Sequence, residues 1–220
     1  MAYSTAELQP REIAGGFLKR STDIVVSAIA LVVLSPLLAL IAIAVRLDSR
    51  GPALFRQTRV GRHEEPFTLL KFRSMSDRAD DAIHRKAIEK VFAGQAISDD
   101  PKSPFKLTTD PRVTRLGAFL RRTSLDELPQ LFNVLRGEMS LVGPRPMIPY
   151  ELEHFQDWQH ERHLVRPGIT GLAQVKSRGR ANMDEILHLD VEYARTCSFW
   201  NDVKLILQTF PIVFKGLGAR

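Results

Sequence analysis

The chain leaves its mixed hydrophobic and polar pattern at residues 24–45, IVVSAIALVVLSPLLALIAIAV, which are uncharged and apolar on every helical face. As a helix this run is about 33 Å long at ~1.5 Å per residue, close to the ~30 Å hydrocarbon core of a bilayer. A helix apolar all round needs lipid, or a larger protein than this, around it. A cleavable signal is a poorer match: Ala42-Ile43-Ala44 offers a small-x-small site, but the run exceeds a normal signal core and Lys19-Arg20 lie well inside the chain. Two features predict a helix that turns back. Ser35-Pro36 stands near its middle, where proline removes a backbone hydrogen bond and a nearby hydroxyl can re-satisfy the freed groups. Both flanks are basic, Lys19 and Arg20 before, then Arg46, Arg50, Arg56, Arg59 and Arg62 after. Positive flanks prefer the cytoplasmic side, so one crossing misplaces one of them. The expectation is a break at Ser35-Pro36 and a re-entrant anchor, with a kinked span as the alternative.

After the anchor, residues 52–55 and 67–72 read as two short strands, joined into a hairpin by the turn at 61–66. The stretch 77–110 is polar and broken by Pro101 and Pro104, predicting a surface helix over 80–92 and then a loop. Leu128, Leu131, Phe132 and Leu135 recur at i, i+3, i+4 and i+7, an amphipathic helix stopped by Gly137. Ser124-Leu125-Asp126-Glu127 fits the capping box that opens a helix, with Pro129 in the first turn. The turn-rich stretch 166–171 leads into a strand-like 172–175, and Asp190 and Tyr193 share a later helix face. The apolar spacing over 199–215 suits a helix kinked at Pro211, lying in the membrane interface or docked on a core. The fold class expected is α+β, mostly helical.

Composition adds bounds. The 220 residues, 44% hydrophobic and 25% charged, exclude a disordered chain. A formal charge of +6 points to an anionic partner: nucleic acid, lipid headgroups or phosphorylated small molecules. The single cysteine, Cys197, excludes an intramolecular disulfide and suits a reducing compartment. Six histidines show no HExxH or Cys/His spacing, so no zinc site is expected.

The densest chemistry lies around Asp126 and Glu127. Carboxylates in a first helical turn are common complements of the helix dipole. Here Arg112, Arg115, Arg121 and Arg122 precede the pair, and Arg136 and Arg145 follow it. Arginine's fork of donors fits phosphate oxygens, so this density beside two acids reads as a phosphate cradle. A helix N-terminus would keep Asp126 ionised and nucleophilic. The rigid loop 142–146, VGPRP, holds Arg145, whereas the glycines of 166–171 match neither G-x-G-x-x-G nor a P-loop.

Five segments together resemble the bacterial sugar transferase family: KRSTDIVVS with SP in the apolar run, GPALFRQTRVG, FTLLKFRSM, TRLGAFLRRTSLDELPQLFNVLRGEMSLVGPRP and RPGITGLAQV. The resemblance runs over about residues 17–215, and 78–109 match no motif. The resemblance is to the short form, without the extra N-terminal membrane domain of the longer branch. It implies a monotopic phosphoglycosyl transferase that begins polysaccharide assembly on polyprenyl (undecaprenyl) phosphate. The donor is a nucleoside-diphosphate sugar, usually a UDP-sugar, and Mg²⁺ is the cofactor. Asp126 matches the nucleophile that holds the phosphosugar covalently, and Glu127 its partner, as base or metal-placing group, both serving as Mg²⁺ ligands. Arg121 and Arg145 match phosphate- and nucleotide-binding positions, joined by Lys71 and Arg112, with Asp190 and Gln174 as additional candidates. The division implied is a tail (1–16), a re-entrant anchor (17–50) and a compact catalytic domain at the membrane surface (51–220). Localisation would be the bacterial inner membrane with the catalytic domain cytoplasmic, without a nucleic-acid partner. An interfacial C-terminal helix leaves homodimerisation open. One apolar run is too few for a multi-span lipid phosphotransferase. A tethered module binding nucleic acid or anionic lipid through arginine would give Asp126 no role.

Overall fold

The computed structural model describes residues 9–76, 82–95, 97, 112–177 and 181–214. It opens with a 40-residue helix, α1 (Gln9–Asp48), that runs through Pro36. The break expected at Ser35-Pro36 is therefore absent. The reason is local. Proline 36 frees the carbonyl of Val32, and Ser35 Oγ donates to that carbonyl at 2.8 Å. Only 17% of the helix's apolar window is buried, so it is no core helix.

Both ends of α1 rest on the same body. Near its start, Lys19 donates to Val142 O at 2.9 Å and pairs with Asp202. Arg20 donates to Val134 O and Leu135 O, while Asp23 accepts from Leu141 N and Ser140 Oγ. Near its end, Ile41 and Val45 pack with Phe72 and Leu120. Between these docks Val25, Ile29, Val32, Val33, Leu40 and Ile43 stay exposed.

The hairpin forms, with β1 (Leu54–Val60) antiparallel to β2 (Pro66–Phe72). The first strand starts later than expected and runs on to Val60. The turn between them is a 3₁₀ segment, Arg62–Glu64, with His63 and Glu64 at left-handed φ of 54° and 63°. Alternation divides β2: Phe67 and Leu69 pack on Val134 and Met139, whereas Phe72 faces α1. Helix α2 (Ala82–Phe92) follows. Residues 80 and 81 of that expected helix, and most of the loop after it, lie outside the described residues.

Helix α3 (Arg115–Arg122) is capped by Thr114, whose hydroxyl accepts from Gly117 N. Helix α4 (Gln130–Arg136) ends as expected at Gly137, φ 83°. Arg20 and Arg166 donate to the carbonyls of its last turn and cap. Its start differs from the expected capping box. A 3₁₀ turn, Leu125–Glu127, precedes it, and Ser124 is left-handed (φ 57°) with no side-chain cap. Glu127 is drawn instead to Lys71.

Strands β3 (Ser140–Val142) and β4 (Gly168–Thr170) pair in parallel. The strand-like run 172–175 is helical, the start of α5 (Leu172–Ser177). A short apolar run does not separate strand from helix by periodicity, and the strand lies in the turn-rich stretch just before it. Glycine makes that pairing close: a Cβ on Gly168 would stand 2.0 Å from Gly143 N. Helix α6 (Met183–Thr196) opens with a capping box on Asn182 and Glu185. Helix α7 (Phe199–Phe214) continues through Pro211. It buries Leu205 against Val142, Val165, Val175 and Tyr193, and leaves Trp200 and Leu207 exposed. It is thus docked on one face and open on the other.

Candidate functional site

The left-handed Ser124 redirects the chain so that the following 3₁₀ turn points Asp126 inward, 7% exposed, and brings Glu127 within 2.7 Å of Lys71 Nζ. Lys71 belongs to the face of β2 that also carries Phe67 and Leu69. That strand is held against α4 by Asn133, which is fully buried. Its Oδ1 accepts from Leu70 N at 3.0 Å and its Nδ2 donates to Thr68 O at 2.7 Å. An amide side chain thus satisfies the outer edge of β2 and fixes the depth of Lys71 relative to the acidic turn.

Three residues in a row at the end of β2 and just past it have different tasks. Lys71 holds Glu127, Phe72 packs on Ile41 and Val45, and Arg73 donates to Ser49 O at 2.6 Å. The next residue, Ser74, accepts from Arg121 Nε at 2.9 Å, placing that arginine beside Asp126.

Two arginines approach from the other side. Arg59 donates to Pro146 O at 2.9 Å and to Gln57 Oε1 at 2.7 Å. Burial, then the charge of Arg145, lower its pKa to about 10. Arg145 follows β3 in a loop whose backbone is clamped twice. Gly143 has no room for a Cβ, which would stand 2.2 Å from Arg166 O. Arg162 Nη2 donates to Arg145 O at 2.7 Å while pairing with Asp190 at 2.6 Å, both side chains 1% exposed.

The two carboxyls diverge. Burial pushes Asp126 above its ordinary value, with Lys71, Arg121 and Arg145 pulling against that shift and Glu127 adding to it. Burial also opposes the charge on Glu127, but Lys71 and Arg145 outweigh it and hold that carboxyl below its ordinary value. The helix N-terminus expected to favour the charge on Asp126 does not lie at the pair. Helix α4 starts only at Gln130, and burial dominates.

A concavity of about 260 Å³ opens beside the pair, lined among others by Arg59, Lys71, Glu127, Gln130, Arg145 and Gln174. Gln174 Oε1 is buried there without a hydrogen-bond partner, an acceptor aimed at whatever fills the space. Of the residues expected at the site, Glu127, Lys71, Arg145 and Gln174 line this concavity. Asp126 and Arg121 adjoin it through their charge coupling. Arg112 does not line it; its carbonyl accepts from Ser76 N at the edge of β2. Asp190 lies behind it, and holds Arg145 through Arg162.

Sequence reasoning passed over Arg59, Gln130 and Arg162. Arg59 was legible: the hairpin register pairs it with Phe67 and Gln57 with Leu69, on the same face as Lys71. It went unseen as one of several positive charges flanking the membrane. Chemically, a buried carboxylate, a second carboxylate that Lys71 and Arg145 favour in its ionised form, and converging cations suit a dianionic diphosphate. The paired carboxylates are hard oxygen donors of the kind Mg²⁺ takes with substrate phosphates.

The model of a family described as bacterial sugar transferase matches residues 14–216. A Salmonella typhimurium undecaprenyl-phosphate galactose phosphotransferase is 41% identical over 92% of this chain and 42% of its own length. A Caulobacter vibrioides UDP-glucose:undecaprenyl-phosphate glucose-1-phosphate transferase is 42% identical over 88% of this chain and 68% of its own. The Rhizobium meliloti exopolysaccharide production protein ExoY is 36% identical over 93% and 89%. The chain spans about two fifths of the length of several relatives it matches, the Salmonella protein among them.

Proposed function

Because the chain belongs to the bacterial sugar transferase family, we propose that it is an enzyme that moves a sugar 1-phosphate from a nucleoside-diphosphate sugar, a UDP-sugar, to polyprenyl phosphate. This would be the first step of exopolysaccharide or related glycoconjugate synthesis. The observation that carries the reading is the inward Asp126, held between Lys71, Arg121 and Arg145 at the rim of a cation-lined concavity.

In the first half-reaction a carboxylate oxygen of Asp126 attacks the phosphorus that bears the sugar. A phosphorus–oxygen bond forms, the diphosphate bridge breaks, and UMP leaves with the bridging oxygen. In the second, an oxygen of the lipid phosphate attacks the same phosphorus and Asp126 departs as carboxylate. Lys71, Arg59, Arg121 and Arg145 lower the repulsion between the attacking and receiving anions. Glu127, held ionised by Lys71, serves better to place a cation than to accept a proton. Asp126 and Glu127 would hold Mg²⁺, which would supply charge neutralisation at the phosphates. The exposed apolar face of α1 lies in the bilayer with both ends on the cytoplasmic side, so the site meets the lipid phosphate at the inner-membrane surface.

The test is incubation of the purified protein with a radiolabelled UDP-sugar and no acceptor, followed by a denaturing gel and peptide mass analysis. A phosphosugar adduct on the peptide containing Asp126, absent from Asp126→Ala, is expected. No adduct with any common donor would defeat the covalent course.

A further inference from the structure

The turn of the hairpin, far from Asp126 in sequence, carries a second cluster. The 3₁₀ segment Asp157–Leu164 turns about every three residues, so side chains at i and i+3 eclipse. His160 and His163 therefore stand on one side, their ring centroids 6.5 Å apart. The left-handed His63 and Glu64 throw the Glu64 carboxylate across to them. Glu64 Oε1 lies 2.5 Å from His160 Nδ1 and 3.5 Å from His163 Nδ1, and the three donor atoms all fall within 4.8 Å of one another.

We propose that Glu64, His160 and His163 form a binding site for one Zn²⁺-class transition-metal ion, with a fourth position open to water. Two imidazoles and one carboxylate are a known ligand set for Zn²⁺, and the borderline nitrogen donors disfavour Mg²⁺. The site is thus separate in place and in chemistry from the carboxylates at Asp126 and Glu127.

Three observations carry this beyond proximity. His163 is 5% exposed and its Nδ1 is buried without a hydrogen-bond partner, facing the carboxylate. Tetrahedral bonds of ~2.0–2.1 Å set donors about 3.3 Å apart, which the Glu64–His163 pair already matches. The closer Glu64–His160 pair has to open by under about 1 Å on that geometry, and both side chains are roughly 40% exposed and able to move. Ligation through Nδ1 moves the ring proton to Nε2, which faces Arg162 Nη1 at 3.4 Å. That contact is long enough for its loss to matter little. The spacing of the histidines gave no zinc signal because the third donor comes from the hairpin, in another part of the chain. A bound ion ties the hairpin turn to the segment leading into β4, one wall of the concavity.

The experiment uses the full chain in detergent, stripped of metal with a chelator and titrated with Zn²⁺ by calorimetry, then with Co²⁺ by visible absorption. One equivalent of Zn²⁺ and a four-coordinate Co²⁺ spectrum are expected, unaffected by millimolar Mg²⁺. Glu64→Ala and His160→Ala, at exposed positions, should each weaken Zn²⁺ at least about tenfold, the loss typical even of groups one shell further out. Absence of binding overturns the site, and so does Zn²⁺ bound equally by the wild type and both variants.

Discussion

Asp126 and Glu127 are neighbours with opposite electrostatics, and their difference is a matter of which charge each one touches. Glu127 grips Lys71 directly; Asp126 lies deeper and receives only the outer part of the same field. Ionisation of Asp126 is therefore disfavoured by its surroundings, which suits the carboxylate proposed to become an acyl phosphate. Asp126→Asn should abolish the phosphosugar adduct and at the same time stabilise the fold at neutral pH. The sign follows from proton linkage. Folded Asp126 binds its proton more tightly than the unfolded chain does, so its ionisation costs stability as pH rises, and the cost vanishes below the unfolded value of ~3.9. The gap in thermal midpoint between Asp126→Asn and the wild type should widen from about pH 4 toward pH 7. A gap that narrows with rising pH would show that the surrounding cations, and not burial, dominate.

At the level of elements, the site is a meeting of β2 with the turn before α4, and Asn133 governs how closely they meet. Asn133→Leu fills similar space but strands the Leu70 N–H and the Thr68 carbonyl, costing about 1–3 kcal/mol for each group left unpaired. Denaturant unfolding should show the loss, and the folded fraction should show reduced turnover, since Lys71 loses its register with Glu127. Wild-type stability in this variant would leave Asn133 without its positioning role. The elements also show what a single sequence reveals. The hairpin and α4 were legible because their apolar positions repeat at the strand and helix periods and Gly137 marks a stop. Residues 172–175 were misread because so short an apolar run suits either state. The Ser124 capping box failed for a tertiary reason: Glu127 found a lysine fifty-six residues away more attractive than its own backbone. Asp190 looked like a site residue, and acts only through Arg162.

For the whole molecule, the anchor is the decisive feature. Its two ends are held by different contacts on one body, Lys19, Arg20 and Asp23 at one and Val45 and Ser49 at the other. On the membrane placement proposed above, a helix bound to one body at both ends would carry both basic flanks to the same compartment. In a Cys197→Ser background, cysteines introduced at Gly16 and Arg50 should both react with an impermeant thiol reagent from the cytoplasmic side of membrane vesicles. Labelling of the two from opposite sides would mean that α1 crosses. The charge pattern predicted a helix broken at Ser35-Pro36, and α1 instead runs on through Pro36. Ser35 supplies the missing bond, and the helix goes on.

The run Lys71-Phe72-Arg73 gives that anchoring a mechanical meaning. One residue holds the acid at the reacting centre, the next is wedged against the membrane helix, and the third grips that helix's end. The strand is in effect a ruler, setting the height of the chemistry above the lipid to within one peptide unit. For the transfer proposed above, a site so fixed cannot reach down for its acceptor, so the lipid phosphate would have to rise to a set plane. Bilayer thickness would then be a variable in the rate of the proposed second half-reaction, but not of the proposed first.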